Sequence, residues 1–138
     1  MQASSPASPT LLLVDDDPFM LAVLADLLAP EGYRLLAAAS GEEALAILAR
    51  EQVEVILCDQ RMPSMSGTEF MALAAKGHPR TVRLILSGQA QDGEVARAIA
   101  AGEVDAYYTK PWSGTALREQ LRAAFLLQRE RERECDRR

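Results

Sequence analysis

The sequence predicts an α/β domain, a five-stranded parallel sheet in the order 2-1-3-4-5 with helices on both faces. Three observations carry that prediction. Strand-like and helix-like stretches alternate five times along the chain, the pattern of a parallel sheet whose crossovers are helical. The strand-like stretches, among them LLLV (11–14), VILC (55–58) and LIL (84–86), are short and almost continuously apolar, as strands buried on both faces are. Lastly, four of the five strands end on a side chain able to hold a metal or a phosphate. Ligands of open parallel sheets collect at the carboxyl ends of the strands where strand order reverses, and the order 2-1-3-4-5 sets the first, third, fourth and fifth ends side by side.

Each element has its own signal. Leu11 to Val14 forms the first strand, followed at once by Asp15, Asp16 and Asp17. Pro18 suits the first turn of a helix, where its missing N–H costs nothing, and Asp17 suits the cap before it. That helix is expected to run to about Ala29, burying Phe19, Val23, Leu24, Leu27 and Leu28, and to stop near Pro30 and Gly32. Tyr33 to Ala39 is a weaker, alanine-rich strand. Ser40-Gly-Glu-Glu43 opens a second helix with a capping-box pattern, turning Ala44, Leu45, Ile47 and Leu48 inward. Val53 to Cys58 is the third strand and ends abruptly on Asp59; Met62-Pro63 then forces an extended turn. Ser66-Gly-Thr-Glu69 repeats the capping box and starts a third helix through Phe70 and Leu73 to about Lys76, broken by Gly77-His78-Pro79. Thr81 to Leu86 is the fourth strand, closing on Ser87-Gly88, and a helix follows from about Asp92 to Ala101. Val104 to Thr109 is the fifth strand, closing on Lys110-Pro111. Ser113 caps the last helix, whose apolar face carries Leu117, Leu121, Phe125 and Leu127.

Size and composition exclude several functions. A chain of 138 residues, 49% hydrophobic and 25% charged, is one domain with a core of its own. Fifteen basic against twenty acidic side chains give a net charge of −5, against a broad nucleic-acid footprint. Cys58 and Cys135 read as reduced thiols, no apolar run approaches the ~20 residues of a membrane span, and MQASSPASP lacks the features of a signal peptide. The expected compartment is the cytoplasm. Residues 1–9 read as a disordered leader, 10–128 as the folded domain and 129–138 as a charged tail or the start of a linker.

The polar groups at the strand ends are Asp15 and Asp16, Asp59, Ser87 and Lys110; the second strand ends blandly on Ala39 and Ser40, as befits an edge. Three carboxylates packed together repel by about 4 kcal/mol per close pair at an effective dielectric near 20. Such a cluster needs protons or a cation, and hard oxygen ligands with room for water suit Mg²⁺. A lysine and a hydroxyl on the far side add donors that a carboxylate site does not need and a phosphoryl group does. Lys110 is one of two lysines against thirteen arginines, a point charge where a fork was available.

LLLVDDDP (11–18), LCDQRMPSMSG (57–67), LILSG (84–88) and YYTKPW (107–112), in that order, make residues 9–128 resemble a receiver domain of the two-component response-regulator family, with its flavodoxin-like, CheY-like fold. The resemblance implies that Asp59 accepts a phosphoryl group from a histidine kinase, a phosphotransfer protein or a small phosphodonor. It implies Mg²⁺ held by Asp16 directly, Asp15 through water, Asp59 and the backbone carbonyl of Arg61. Lys110 would pair with Asp59 and later with a phosphoryl oxygen. Ser87 would follow the phosphoryl group inward, freeing space for Tyr107 and switching the surface of the fourth helix, fifth strand and fifth helix toward an output partner or module; Tyr108 would face the other way. Arg61 and Gln89 flank the entrance for attacking water and would tune phosphate lifetime, while Pro111 is a candidate cis peptide. The family catalyses only its own phosphorylation and dephosphorylation. Direct contact with nucleic acid or membrane is not implied, and homodimerisation on phosphorylation is left open.

Other readings weigh less. A phosphohydrolase with an aspartyl nucleophile of the haloacid-dehalogenase type wants a second aspartate where Arg61 stands. A scaffold that keeps the fold without using the acceptor remains the third option, and no Gly-rich turn after Val14 supports a nucleotide-binding Rossmann domain. His78 reads as a surface loop residue, Met62 and Met65 as loop packing, and Trp112 as packing rather than recognition. QRERERECDRR (128–138) pairs opposite charges at i,i+3, Arg129 with Glu132 and Glu130 with Arg133, but has no apolar seam, so a frayed, solvated end is expected.

Overall fold

A computed structural model describes residues 8–88, 92–110 and 112–136. Along the chain run β1 (Thr10–Val14), α1 (Pro18–Leu28), a 3-10 turn (Ala29–Glu31), β2 (Arg34–Ala38), α2 (Gly41–Arg50), β3 (Val55–Asp59), α3 (Gly67–Gly77), β4 (Val82–Ser87), α4 (Gly93–Ala100), β5 (Ala106–Thr109) and α5 (Gly114–Asp136). All neighbouring strands are parallel and the sheet order is β2-β1-β3-β4-β5, as the sequence predicts.

Alternation along each strand sends neighbours to opposite helical layers. Leu12, Val14, Ile56, Cys58 and Ile85 pack under α2, α3 and α4 with Ala44, Leu48, Phe70, Met71 and Val95. Leu11, Leu13, Val55, Leu57, Leu84 and Leu86 face α1 and α5 through Leu24, Leu28, Leu117, Leu121 and Phe125. Leu11, Leu12 and Leu13 are at most 1% exposed; each such side chain stabilises the fold by roughly 1.5–3 kcal/mol, which is why β1 and β3 read as unbroken apolar runs.

The helix starts follow their caps. Asp17 accepts the Phe19 N–H, Ser40 that of Glu43, and Ser66 with Glu69 completes a reciprocal capping box. The box at Ser40 is shifted, because Glu43 takes the Ala39 N–H at 2.6 Å.

Several expectations need correcting. Phe19 is 72% exposed, because it lies about 140° around α1 from Leu24, the centre of the buried stripe. Leu127 is 41% exposed while Ala124 and Gln128 are buried; these continue the row from Leu117 and Leu121, and Leu127 lies two residues past Phe125. β5 starts at Ala106 rather than Val104, because the Asp105 carboxylate takes the Arg83 N–H at 2.8 Å and so replaces a ladder bond. The end expected to fray is helical through Asp136: Gln128 is buried, Arg131 donates to both oxygens of Asp105, and Glu130 pairs with Arg133 at 2.6 Å. Residues 1–7 of the expected leader lie outside the described residues, whereas the Pro9 carbonyl accepts the Arg34 N–H at 2.9 Å on the sheet edge. Gln89 and Pro111 also lie outside the described residues.

Candidate functional site

Strand register builds the site. Val14 pairs with Cys58, so the next residues, Asp15 and Asp59, emerge together at the carboxyl edge. Asp59 pairs with Leu86 and Ser87 with Thr109, which brings Ser87 and Lys110 to the same edge. The Lys110 N–H extends the last ladder to the Ser87 carbonyl at 2.8 Å, and the Asp15 N–H extends the first to Ala38 at 3.1 Å. Carboxylate oxygens of Asp15, Asp16 and Asp59 all lie within 4.8 Å of one another, with Asp15 and Asp59 buried and Asp16 exposed. The Lys110 ammonium donates to Asp59 Oδ1 at 2.9 Å. Ser87 is 1% exposed at the end of β4.

Charge is concentrated here against its own repulsion. Burial pushes the Asp15 carboxyl above its ordinary value; the Asp17 N–H donated to it at 2.9 Å opposes this, the Asp59 charge adds to it, Lys110 opposes it and Asp16 adds to it. Burial, with Asp59 and Asp15 nearby, raises the Cys58 thiol well above its ordinary value, so this cysteine is packing and not a nucleophile. One lysine facing three carboxylates leaves the cluster anionic. Its donors are hard carboxylate oxygens within 4.8 Å of one another, the chemistry that suits a divalent cation. Asp59 also has an oxygen fixed on an ammonium at a strand end, the placement a carboxylate needs to meet an electrophile that arrives with its own negative charge.

The loop from β3 to α3 holds the acidic end in place. The Gly67 N–H donates to the Gln60 carbonyl at 3.0 Å, and a Cβ on Gly67 would stand 2.5 Å from the Asp59 carbonyl oxygen. Only glycine allows that approach. Ser64 sits at φ 73° within the same loop, and Met62 and Met65 pack against the α2–α4 layer as expected. Arg61 is exposed beside it.

Sequence reading missed Gln60. Its side chain is 2% exposed; Oε1 accepts the Thr68 N–H at 2.9 Å, and Nε2 donates to Thr68 Oγ1 at 3.2 Å and Glu94 Oε1 at 3.3 Å. A polar residue directly after a buried strand was the only signal available. Tyr107 packs with the α2–α4 layer and Tyr108 with the α1–α5 layer, as strand alternation predicts, and Trp112 packs on the α1–α5 layer as well. Those two faces meet solvent at a groove of about 460 Å³ lined by Tyr107, Tyr108, Trp112, Ser113 and Ala116.

Comparison with known proteins agrees with this fold. The family model described as the response regulator receiver domain matches residues 11–122. The hydrogenase transcriptional regulatory protein HoxA of Cupriavidus necator is 36% identical over 115 residues, covering 83% of this chain and 24% of that protein. The signal receiver domain of an HD domain-containing protein from Pseudomonas fluorescens Pf-5 superposes with a TM-score of 0.85 at 33% identity, covering 89% of this chain and 98% of that one. A CheY-like response regulator receiver domain protein from Methanospirillum hungatei gives a TM-score of 0.82 at 30% identity, with 92% and 98% covered. The chain spans about a quarter of the length of the first curated relatives it matches.

Proposed function

The chain belongs to the response regulator receiver domain family of two-component signalling, and on that premise we propose that Asp59 is its phosphoryl acceptor. One observation carries the reading: the Lys110 ammonium lies 2.9 Å from Asp59 Oδ1 beside a carboxylate trio whose oxygens share a 4.8 Å cluster. An Asp59 oxygen attacks the phosphorus of a phosphohistidine on a sensor histidine kinase or phosphotransfer protein, or of a small phosphodonor. The bond from phosphorus to the donor breaks, the donor leaves with its electron pair, and an acyl phosphate forms on Asp59. Lys110 orients the carboxylate before transfer and then neutralises a phosphoryl oxygen.

The donor set of Asp15, Asp16 and Asp59 fits Mg²⁺, with the Arg61 carbonyl as a further oxygen ligand. When bound, Mg²⁺ offsets negative charge on the acceptor and on the incoming phosphoryl group. Ser87 donates its hydroxyl to the phosphoryl group once that is present. Tyr107 follows into the space released, and the α4–β5–α5 surface moves between two arrangements that the phosphoryl group biases. Arg61 and Gln89 control the approach of water in self-dephosphorylation. The switching unit is residues 10–128, acting in the cytoplasm, and its reader is a downstream protein or an output module joined through α5. This reading involves neither nucleic acid nor membrane; a homodimer on phosphorylation is a further element to test by light scattering.

The decisive test is labelling with acetyl phosphate and Mg²⁺. Asp59→Asn abolishes acid-stable, base-labile incorporation in this reading, and undiminished labelling of that variant rules the acceptor assignment out.

A further inference from the structure

Gln60 joins more elements than any structural need of its own loop explains. Its N–H donates to the Leu86 carbonyl at 3.2 Å, directly before Ser87, and its carbonyl accepts the Gly67 N–H. Its side chain holds both the amide and the hydroxyl of Thr68 at the start of α3. The remaining reach of Nε2, 3.3 Å to Glu94 Oε1, crosses to the first turn of α4. Gln60 is nearly inaccessible while Glu94 is exposed. One partner is therefore fixed to the sheet and to α3, and the other rides on α4. The bond coexists with the Lys110–Asp59 pairing, the arrangement in which the acceptor carboxylate is itself the partner of the lysine.

We propose that Gln60 is a positioning residue that latches α4 to the acceptor strand through Glu94 and so sets the threshold for switching. The proposal rests on the receiver reading above and adds to it a residue that restrains α4. A displacement of α4 relative to β3 lengthens a 3.3 Å bond past useful range while Gln60 keeps its bonds to Thr68, Leu86 and Gly67. The latch thus favours the Lys110–Asp59 arrangement alone, and differential contact of this kind is what shifts a two-state equilibrium. A hydrogen bond to a charged, solvent-facing carboxylate corresponds to about three- to tenfold in that equilibrium.

Glu94 variants separate this role from plain helix-end electrostatics. Glu94→Gln keeps an acceptor oxygen at the same reach but drops the charge; Glu94→Asp keeps the charge near the α4 N-terminus and withdraws the oxygen by one methylene. The measurement is beryllofluoride titration at saturating Mg²⁺, read by amide NMR shifts of α4, β5 and α5. The latch predicts that Glu94→Ala and Glu94→Asp respond at about three- to tenfold lower beryllofluoride than the parent chain, and that Glu94→Gln, which keeps a weaker neutral bond, falls between them and the parent. In a Gln60→Leu background, Glu94→Ala adds nothing further. Glu94→Asp behaving like the parent, or all variants titrating together, overturns the latch. A parent chain that shows no response in α4–β5–α5 at any concentration overturns the receiver reading itself, which separates the two failures.

Discussion

At the scale of single residues, Asp15 concentrates the cost of the site. Its folded-state carboxyl binds a proton more tightly than the unfolded chain does, first because of burial. The folded state therefore holds more protons through that titration, and stability falls as pH rises from about 4 through the elevated folded value. We expect Mg²⁺ affinity to rise over the same window, because a carboxyl ligand must lose its proton to bind. Asp15→Asn keeps an acceptor for the Asp17 N–H and removes the charge, so we expect a gain on the order of 1 kcal/mol in metal-free buffer near neutrality. Thermal unfolding across pH checks the sign, and the same variant should lose the Mg²⁺-dependent rise in Tm. Gly67 is the opposite case. A methyl there meets the backbone oxygen of Asp59 and the Cα of Gln60, neither able to retreat cheaply, so Gly67→Ala should destabilise by about 1–3 kcal/mol and slow acetyl-phosphate labelling as well.

Among the elements, α5 carries the clearest consequence. Its last turns are held by Arg131, which donates to both Asp105 oxygens and to the Thr81 carbonyl at 3.3 Å, and by Gln128 and Arg80 meeting Glu132. Asp105 belongs to the turn that launches β5, so the helix end is tied to the strand carrying Tyr107. Arg83 sits beneath the same corner, 4% exposed, giving its guanidinium to the carbonyls of His78, Pro79, Thr81, Gly102 and Glu103. Burial lowers that guanidinium from its ordinary value and the Asp105 charge raises it again. Arg83→Met fills the volume but strands several carbonyls, and urea unfolding should show a loss of about 3 kcal/mol. Arg131→Ala removes the guanidinium from a mostly buried Asp105 carboxylate, which among the described residues keeps only the Arg83 N–H, so a loss of about 1–3 kcal/mol is expected, with hydrogen exchange accelerating in the final two turns of α5 before anywhere else.

For the whole molecule, the sheet couples two faces to one edge, and a ligand at that edge should be sensed on both. Mg²⁺ with beryllofluoride is expected to raise Tm and change Trp112 fluorescence, since Trp112 packs on the α1–α5 layer just beyond Lys110; Asp59→Asn should remove the beryllofluoride part and leave a weakened Mg²⁺ part. The sequence alone determined the layer architecture, because unbroken apolar strands and capped helices are local consequences of burial period and backbone donors. It also indicated which residues stand at the carboxyl edge of the sheet, because that is where ligands of open parallel sheets collect. Asp15, Asp16, Asp59, Ser87 and Lys110 were all legible for that reason. The tertiary structure decided what depends on azimuth and partners: that Phe19 and Leu127 face water, that Gln128 takes the buried place, and that Arg83 is affordable in a core strand. It decided the partners of Gln60 too. A glutamine in a one-dimensional string has no partners, and Thr68, Leu86 and Glu94 become its neighbours only when α3, β4 and α4 close around the end of β3.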